Sequence, residues 1–152
     1  MSTRKESSPQ SGLATTHLVR DCCLCLHVQR AARALARRFD EVFRPLGLTQ
    51  GQFSLLTSLN RPEPPSIGSV AALLAMDRTT LTAALKPLQR RRLVKIAVDK
   101  NDRRGRRLII TPAGRSLLRK AFPLWQRAHA ETERLLTGVS ADALREALRA
   151  LA

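Results

Sequence analysis

The chain has 152 residues and carries 27 Lys and Arg against 12 Asp and Glu, a net charge of +15. That length suits one domain with an ordinary core, and such a cationic excess favours an anionic partner, either nucleic acid or an acidic membrane surface. An aromatic content of 3% argues against base-stacking single-strand binders, and no apolar run approaches the length of a membrane span.

The first dozen residues, MSTRKESSPQSG, lack the apolar centre of a signal peptide, and residues 1–16 read as a disordered tail. Cys22, Cys23 and Cys25 crowd within four positions and make no disulfide framework, so a cytoplasmic protein is expected. From about His17 to Leu46, Leu24, Val28, Ala31, Leu35, Phe39, Val42, Phe43 and Leu46 recur at three- and four-residue steps. This predicts one long helix closed by Pro45-Leu46-Gly47. Thr49-Gln50-Gly51-Gln52 has capping-box spacing and opens a second helix with Phe53, Leu55, Leu56 and Leu59 on its apolar positions. After a Pro-rich loop, Ser66 caps a short helix with Ile67, Val70, Ala71 and Leu74 on one face.

Met76-Asp77 forms a tight joint before a helix from about Arg78 to Arg91. Leu81, Ala84, Leu85 and Leu88 point to the core, and Thr79, Thr82, Ala83 and Lys86 form the opposite stripe. Pro87 removes one backbone donor there and is expected to bend the last turn. Val94–Val98 and Leu108–Ile110 read as two strands of a hairpin around an arginine-rich tip. Thr111-Pro112 starts a long helix to about Leu136. A last helix from Ser140 is expected to bury Leu144, Leu148 and Leu151.

Short helix, tight turn, second helix and basic hairpin describe a winged helix-turn-helix, whose second helix enters the major groove of double-stranded DNA. Thr79, Thr82 and Ala83 suit thymine methyls, and Arg78 and Lys86 suit guanine or phosphate. The hairpin arginines suit the minor groove, where negative potential concentrates. Residues 77–107 hold eleven Lys and Arg against three Asp. A merely solvated surface would interleave the two signs. The candidate DNA contacts are Ser66, Arg78, Thr79, Thr80, Thr82, Lys86, Asp102, Arg103, Arg104 and Arg106. No Ser/His/Asp set, carboxylate pair or phosphate loop can be assembled, so neither an enzyme nor a cofactor is expected. A basic architectural protein that coats DNA without sequence preference is the alternative.

Three stretches, PLGLTQGQFSLL, MDRTTLTAALKPLQRRRLV and DKNDRRGRRLIITPAG, stand in the order and spacing of a MarR-family transcriptional regulator, which the chain resembles over about Cys22 to Leu136. The resemblance implies a mainly α fold with a small β-hairpin wing. Residues 49–111 would form the winged helix-turn-helix, and 17–46 and 112–152 the dimerisation helices of a single domain spanning 17–152. It implies a homodimer on a pseudo-palindromic operator, acting as a repressor, with Arg78, Thr79, Thr80 and Thr82 toward the major groove. Asp102 with Arg103 or Arg104 would be the wing pair that organises and makes the minor-groove contact. The terminal helices independently carry more apolar surface than a monomer of this size can cover. Ile110-Thr111 replaces the usual Leu-Thr, and Arg92 stands where many members end the helix with Gly, so a different cap is expected there.

The resemblance also extends to the organic-hydroperoxide-sensing branch, because Cys25 falls where that branch carries its reactive thiol. Cys22 precedes it by three residues on the expected same helical face, and a helix N-terminus favours the thiolate that peroxide attacks. That branch surrounds its thiol with tyrosines, whereas this chain has none and sets Gln29 and Phe39 at the matching places. Small apolar packing at a dimer interface is the other reading of the cysteines. A metal site with His17 or His27 is not assigned, since thiolate sites show two separated ligand pairs. A small aromatic acid is the remaining effector candidate, with Arg30, Trp125 and His129 as pocket residues.

Overall fold

The computed structural model describes residues 12–152. The chain divides between Leu35 and Ala36 into two compact units. The first contains α1 (Leu13–Cys22) and the beginning of α2 (Leu24–Phe43). The single helix expected from His17 is therefore two helices. Residues 13–16, expected in the tail, form the first turn of α1, while residues 1–11 of that tail lie outside the described residues. The interruption is Cys23, whose backbone is extended (φ −73°, ψ 107°). Its N–H still donates to Val19 O at 3.0 Å and its carbonyl accepts from His27 N at 3.1 Å, so the break costs little hydrogen bonding.

The second unit begins within α2, which runs into a 3-10 turn, Arg44–Leu46. It continues through α3 (Gln50–Leu59), α4 (Ile67–Leu73), α5 (Arg78–Arg90), β1 (Val94–Val98), β2 (Arg106–Ile110), α6 (Pro112–Glu133) and α7 (Ala141–Arg149). The fold is mainly α with a two-stranded antiparallel wing, Val94 opposite Ile110 and Val98 opposite Arg106. Phe43, Leu56, Leu59, Val70, Leu81, Leu85, Leu88 and Leu108 are its most deeply buried side chains. The period-3.6 stripes of α3, α4 and α5 thus meet the inward face of β2 in one core. Leu148 and Leu151, expected to be buried, are 42% and 65% exposed, and Leu144 is only half-buried, because no described residue covers that face of α7.

Capping fixes where these helices start. Thr49 and Gln52 form the reciprocal capping box, with both bonds at 3.2 Å. Ser66, Asp77, Thr111 and Ser140 each accept the backbone N–H three residues on. Asp40 of α2 takes a further α3 donor, Gln50 N, at 2.7 Å. Helix exits are equally specific. Gly47, Ala75 and Arg92 all adopt the left-handed conformation, with φ of 59°, 50° and 56°. At each, two hydrogen bonds close the exit: Leu48 N to Phe43 O with Gly47 N to Arg44 O, Met76 N to Ala71 O with Ala75 N to Ala72 O, and Leu93 N to Leu88 O with Arg92 N to Gln89 O. Pro87 does not end α5, and α6 likewise runs through Pro123.

A tight corner then returns the chain from the wing. Thr111 N donates to Leu93 O at 3.0 Å, and Thr111 Oγ1 donates to Arg92 O at 2.8 Å. Gly114, in the first turn of α6, packs so closely that a Cβ would overlap the Leu93 carbonyl oxygen and crowd Ile110. The backbone carbonyl cannot move aside without breaking the corner. Gly114→Ala is therefore expected to destabilise the protein by about 1–3 kcal/mol, as overpacking does. Arg92→Gly, which relieves a left-handed L-residue, is expected to stabilise it by about 0.5–1 kcal/mol after the entropic cost of glycine. Thermal and denaturant unfolding of the two variants should shift the midpoint in opposite directions.

Candidate nucleic-acid interface

The residues singled out in the sequence fall on α5, the start of α4 and the wing. Asp77 organises the start of α5, its carboxylate accepting Thr80 N at 2.7 Å and Thr80 Oγ1 at 2.6 Å. These bonds, the hydroxyl's first, hold the Asp77 carboxyl below its ordinary range. Thr80 is thereby a capping partner whose hydroxyl proton is already used. Thr82 likewise donates its hydroxyl to Arg78 O at 2.7 Å, which leaves its methyl and an acceptor lone pair for any external partner. Ser66 accepts Ser69 N at 3.1 Å and so acts first as the cap of α4. The guanidinium of Arg78 lies over Gly68 of α4, with Nη2 3.1 Å from where a Cβ would stand. Thr79 and Lys86 are exposed on the outer stripe.

Asp102 shapes the wing tip, and a second pair, Asp99 with Arg107, braces the strands behind it. Asp102 accepts Arg104 N at 2.9 Å with its side chain and Gly105 N at 2.9 Å with its carbonyl, so it shapes the tip through the main chain. The ion pair is Asp99 with Arg107, Nε to Oδ2 at 2.6 Å, at the loop end of the two strands. Asp99 also accepts Asn101 N at 3.0 Å. The Asn101 amide first, then Arg107, hold its carboxyl below the ordinary range. Arg107 Nη1 reaches Pro64 O at 3.3 Å, Leu108 N donates to Pro65 O at 2.9 Å, and Ser66 bridges Arg107 as a strand would. The Pro-rich loop is thus a third, very short strand that anchors the wing to α4, a pairing the sequence reading missed. Arg106 folds back so that Nη1 touches Arg103 O and Gly105 O, each at 3.1 Å.

The remaining cations are bare. Among the described residues, Arg78, Lys86, Arg90, Lys95, Lys100, Arg103 and Arg104 make no side-chain hydrogen bond or ion pair. They project from α5, β1 and the wing tip, and no carboxylate answers them.

Of the candidate pocket residues, Arg30 belongs to the first unit and Trp125 and His129 to the second. Trp125 and His129 stack at 4.6 Å in an aromatic series that continues through Phe53 and Phe43. His129 turns to Glu133, 3.0 Å away, and is not on a cavity wall, whereas Arg30 is exposed in the N-terminal unit. A cavity of about 830 Å³ instead has Phe53, Leu74, Leu118, Phe122 and Trp125 as its apolar lining and Arg61, Arg115 and Arg119 among its polar residues. Cys22 is the last residue of α1 and Cys25 the second of α2, so the break at Cys23 removes the shared helical face expected for them. Gln29 Nε2 donates to Cys25 Sγ at 3.1 Å, and Arg33 donates in turn to Gln29 Oε1 at 2.9 Å.

Residues 48–105, which carry α3 to the wing tip, match the MarR family. The transcriptional regulator MosR of M. tuberculosis, solved in complex with DNA, is 35% identical and superposes with a TM-score of 0.77 over 85% of this chain and 92% of that one. The chain belongs to the MarR family. Its MarR-type winged unit also resembles TtmR, an HTH-type transcriptional regulator of Methylorubrum extorquens. The two are 33% identical over 97 residues, 64% of this chain and 50% of TtmR. The transcriptional activatory protein BadR of Rhodopseudomonas palustris is 35% identical over 95 residues, 60% of this chain and 54% of BadR. The chain thus spans about half the length of these two curated relatives.

The Asp99 carboxylate contributes to wing order above the ordinary carboxylate range, near pH 4, and this contribution fades as pH falls through its depressed value. On acid titration the Arg107 Nε–H resonance is expected to stay sharp through neutral pH and broaden only below about pH 4. Asp99→Asn should show the broadened state already at pH 7, and an unchanged spectrum in that variant would break the assignment.

Proposed function

We propose that this MarR-family protein is a sequence-specific regulator of transcription that binds double-stranded DNA as a homodimer, with α5 in the major groove and the wing tip on the minor groove. The observation that carries the reading is the set of cationic side chains on α5 and the wing that have no partner within the fold. The DNA-bound state of MosR supports it by likeness. Ser66, Arg78, Thr79, Thr80, Thr82 and Lys86 would meet the major groove, and Arg103, Arg104 and Arg106, on the tip shaped by Asp102, the minor groove. Leu18 and Val19 on α1, and Leu148 and Leu151 around α7, are exposed apolar side chains that a second copy would cover. Two α5 helices would then lie roughly 34 Å apart, one turn of DNA. We take the protein to act as a cytoplasmic repressor; among its described residues no helix is long and apolar enough to cross a membrane.

Binding to an operator selected from random duplex should exceed binding to bulk DNA by about 10³-fold or more at fixed salt. A ratio near one would instead make the protein a nonspecific coat. Arg104→Ala should weaken both and lower the salt slope by about 0.9, whereas substitutions at Thr79 or Thr82 should change base preference and leave the slope alone. Fluorescence anisotropy across a salt series reads both quantities.

The cavity between α3, α4 and α6 suits a small aromatic acid, since its walls are apolar and aromatic and its charged lining residues are all arginines. A second reading, oxidation of Cys25, is favoured by the Gln29 amide aimed at its sulfur. A hydroperoxide would convert the thiol to a sulfenic acid and release an alcohol. Condensation with Cys22 would then give a disulfide and water. A gel-shift titration of wild type and Cys25→Ser decides between them. Release of both proteins by benzoate, with neither responding to organic hydroperoxide, is expected for the aromatic-acid reading. Release of wild type alone by hydroperoxide supports the thiol.

A further inference from the structure

The exits of α2 and α5 are joined by one side chain. The left-handed exit at Gly47 satisfies the carbonyls of Phe43 and Arg44, through Leu48 N at 3.3 Å and Gly47 N at 2.9 Å. The carbonyls further along, of Leu46 and Gly47, remain as the negative end of the helix. Arg91 occupies them: Nη1 donates to Gly47 O at 2.6 Å and Nη2 lies 3.4 Å from Leu46 O. Arg91 is also the residue on which α5 ends, its own N–H donating to Pro87 O at 3.1 Å before Arg92 reverses the backbone. Both exits belong to the Ala36–Ala152 unit.

Arg91 sits in a run of three arginines, Arg90-Arg91-Arg92, and by composition looks like one more cation for DNA. Its geometry says otherwise. Among the described residues the side chains of Arg90 and Arg92 have no partner, whereas the fork of Arg91 is spent on two adjacent main-chain carbonyls 44 and 45 residues away. A planar guanidinium can span two such acceptors; an ammonium meets only one of them well.

We infer that Arg91 is a positioning residue. It locks the C-terminal end of α5 to the end of α2, so the angle at which α5 is presented follows the setting of α2. This rests on α5 being the DNA-facing helix, but the lock itself is a property of the free protein. Two kinds of measurement therefore test it on the full chain, with Arg91→Ala, the conservative Arg91→Lys, and Arg90→Ala as the free-cation control.

In the free protein, Arg91→Ala should speed amide hydrogen exchange at Gly47 and Leu48, with Arg91→Lys between it and wild type and Arg90→Ala unchanged. Wild-type exchange in Arg91→Ala would overturn the lock whatever the protein binds. On DNA, Arg91→Ala should lose about tenfold in operator affinity, on the order of one charged hydrogen bond. It should keep the wild-type salt slope and bulk-DNA affinity, and Arg91→Lys should recover part of the loss. Arg90→Ala should lower the slope for operator and bulk DNA alike. A slope reduced by about 0.9 in Arg91→Ala would make Arg91 a phosphate contact and overturn the inference. Should Arg91→Ala fail to fold, exchange and binding of Arg91→Lys carry the same test. A wild type without operator preference would sink the DNA reading alone and leave the exchange result to judge the lock.

Discussion

The geometry of the winged unit depends on how its helices stop. Three of them leave through a single left-handed residue, at Gly47, Ala75 and Arg92, and each exit aims the next element. The first aims α3 away from α2, the second sets α5 against α4, and the third throws β1 out to begin the wing. Only one of the three is a glycine. For an L-residue that conformation costs about 1–2 kcal/mol, so the turns at Ala75 and Arg92 persist because the surrounding core over-determines them. Val70 and Ala71 before the second exit, and Leu88, Leu93 and Val94 around the third, are all buried. The core pins the turns, and the turns orient the helices that make the core.

Much of this was legible because caps are local. Thr49, Ser66 and Thr111 each announce a helix cap within four residues and accept the expected donor, and Asp77 and Ser140 prove to cap in the same way. What escaped is non-local or unmarked. The interruption at Cys23 carries no Gly or Pro, and the apolar spacing runs straight across it. The short strand at Pro65–Ser66 exists only through its pairing with Arg107 and Leu108, forty residues on. Asp99 and Asp102 stand three apart; the ion pair with Arg107 falls to Asp99 and the turn to Asp102.

The candidate interface shows the same division. Position along the chain was enough to put Thr79, Thr82 and Lys86 on one exposed stripe. It could not separate arginines by fate, because a run of cations reads identically whether its members are bare or bound. Arg107 braces the wing, Arg106 folds onto the tip, Arg91 clasps a distant turn, and Arg78 rests over Gly68. Lys86, Arg90, Lys95, Lys100, Arg103 and Arg104, like Arg78, carry charge that no described side chain pairs. His129 and Trp125 share a helix, yet His129 turns to Glu133 while Trp125 lines the cavity.

Those unanswered cations have a cost that falls on the free protein. With eleven Lys and Arg on α5, β1 and the wing against only Asp77, Asp99 and Asp102, the folded state stores electrostatic self-repulsion that the extended chain would relax. A polyanion laid along the stripe removes that repulsion, and anything that binds the folded state alone adds its binding free energy to stability. Occupancy of DNA and persistence of the fold are thus thermodynamically coupled. The molecule that has left its site is the more fragile one, and the more exposed to proteolysis.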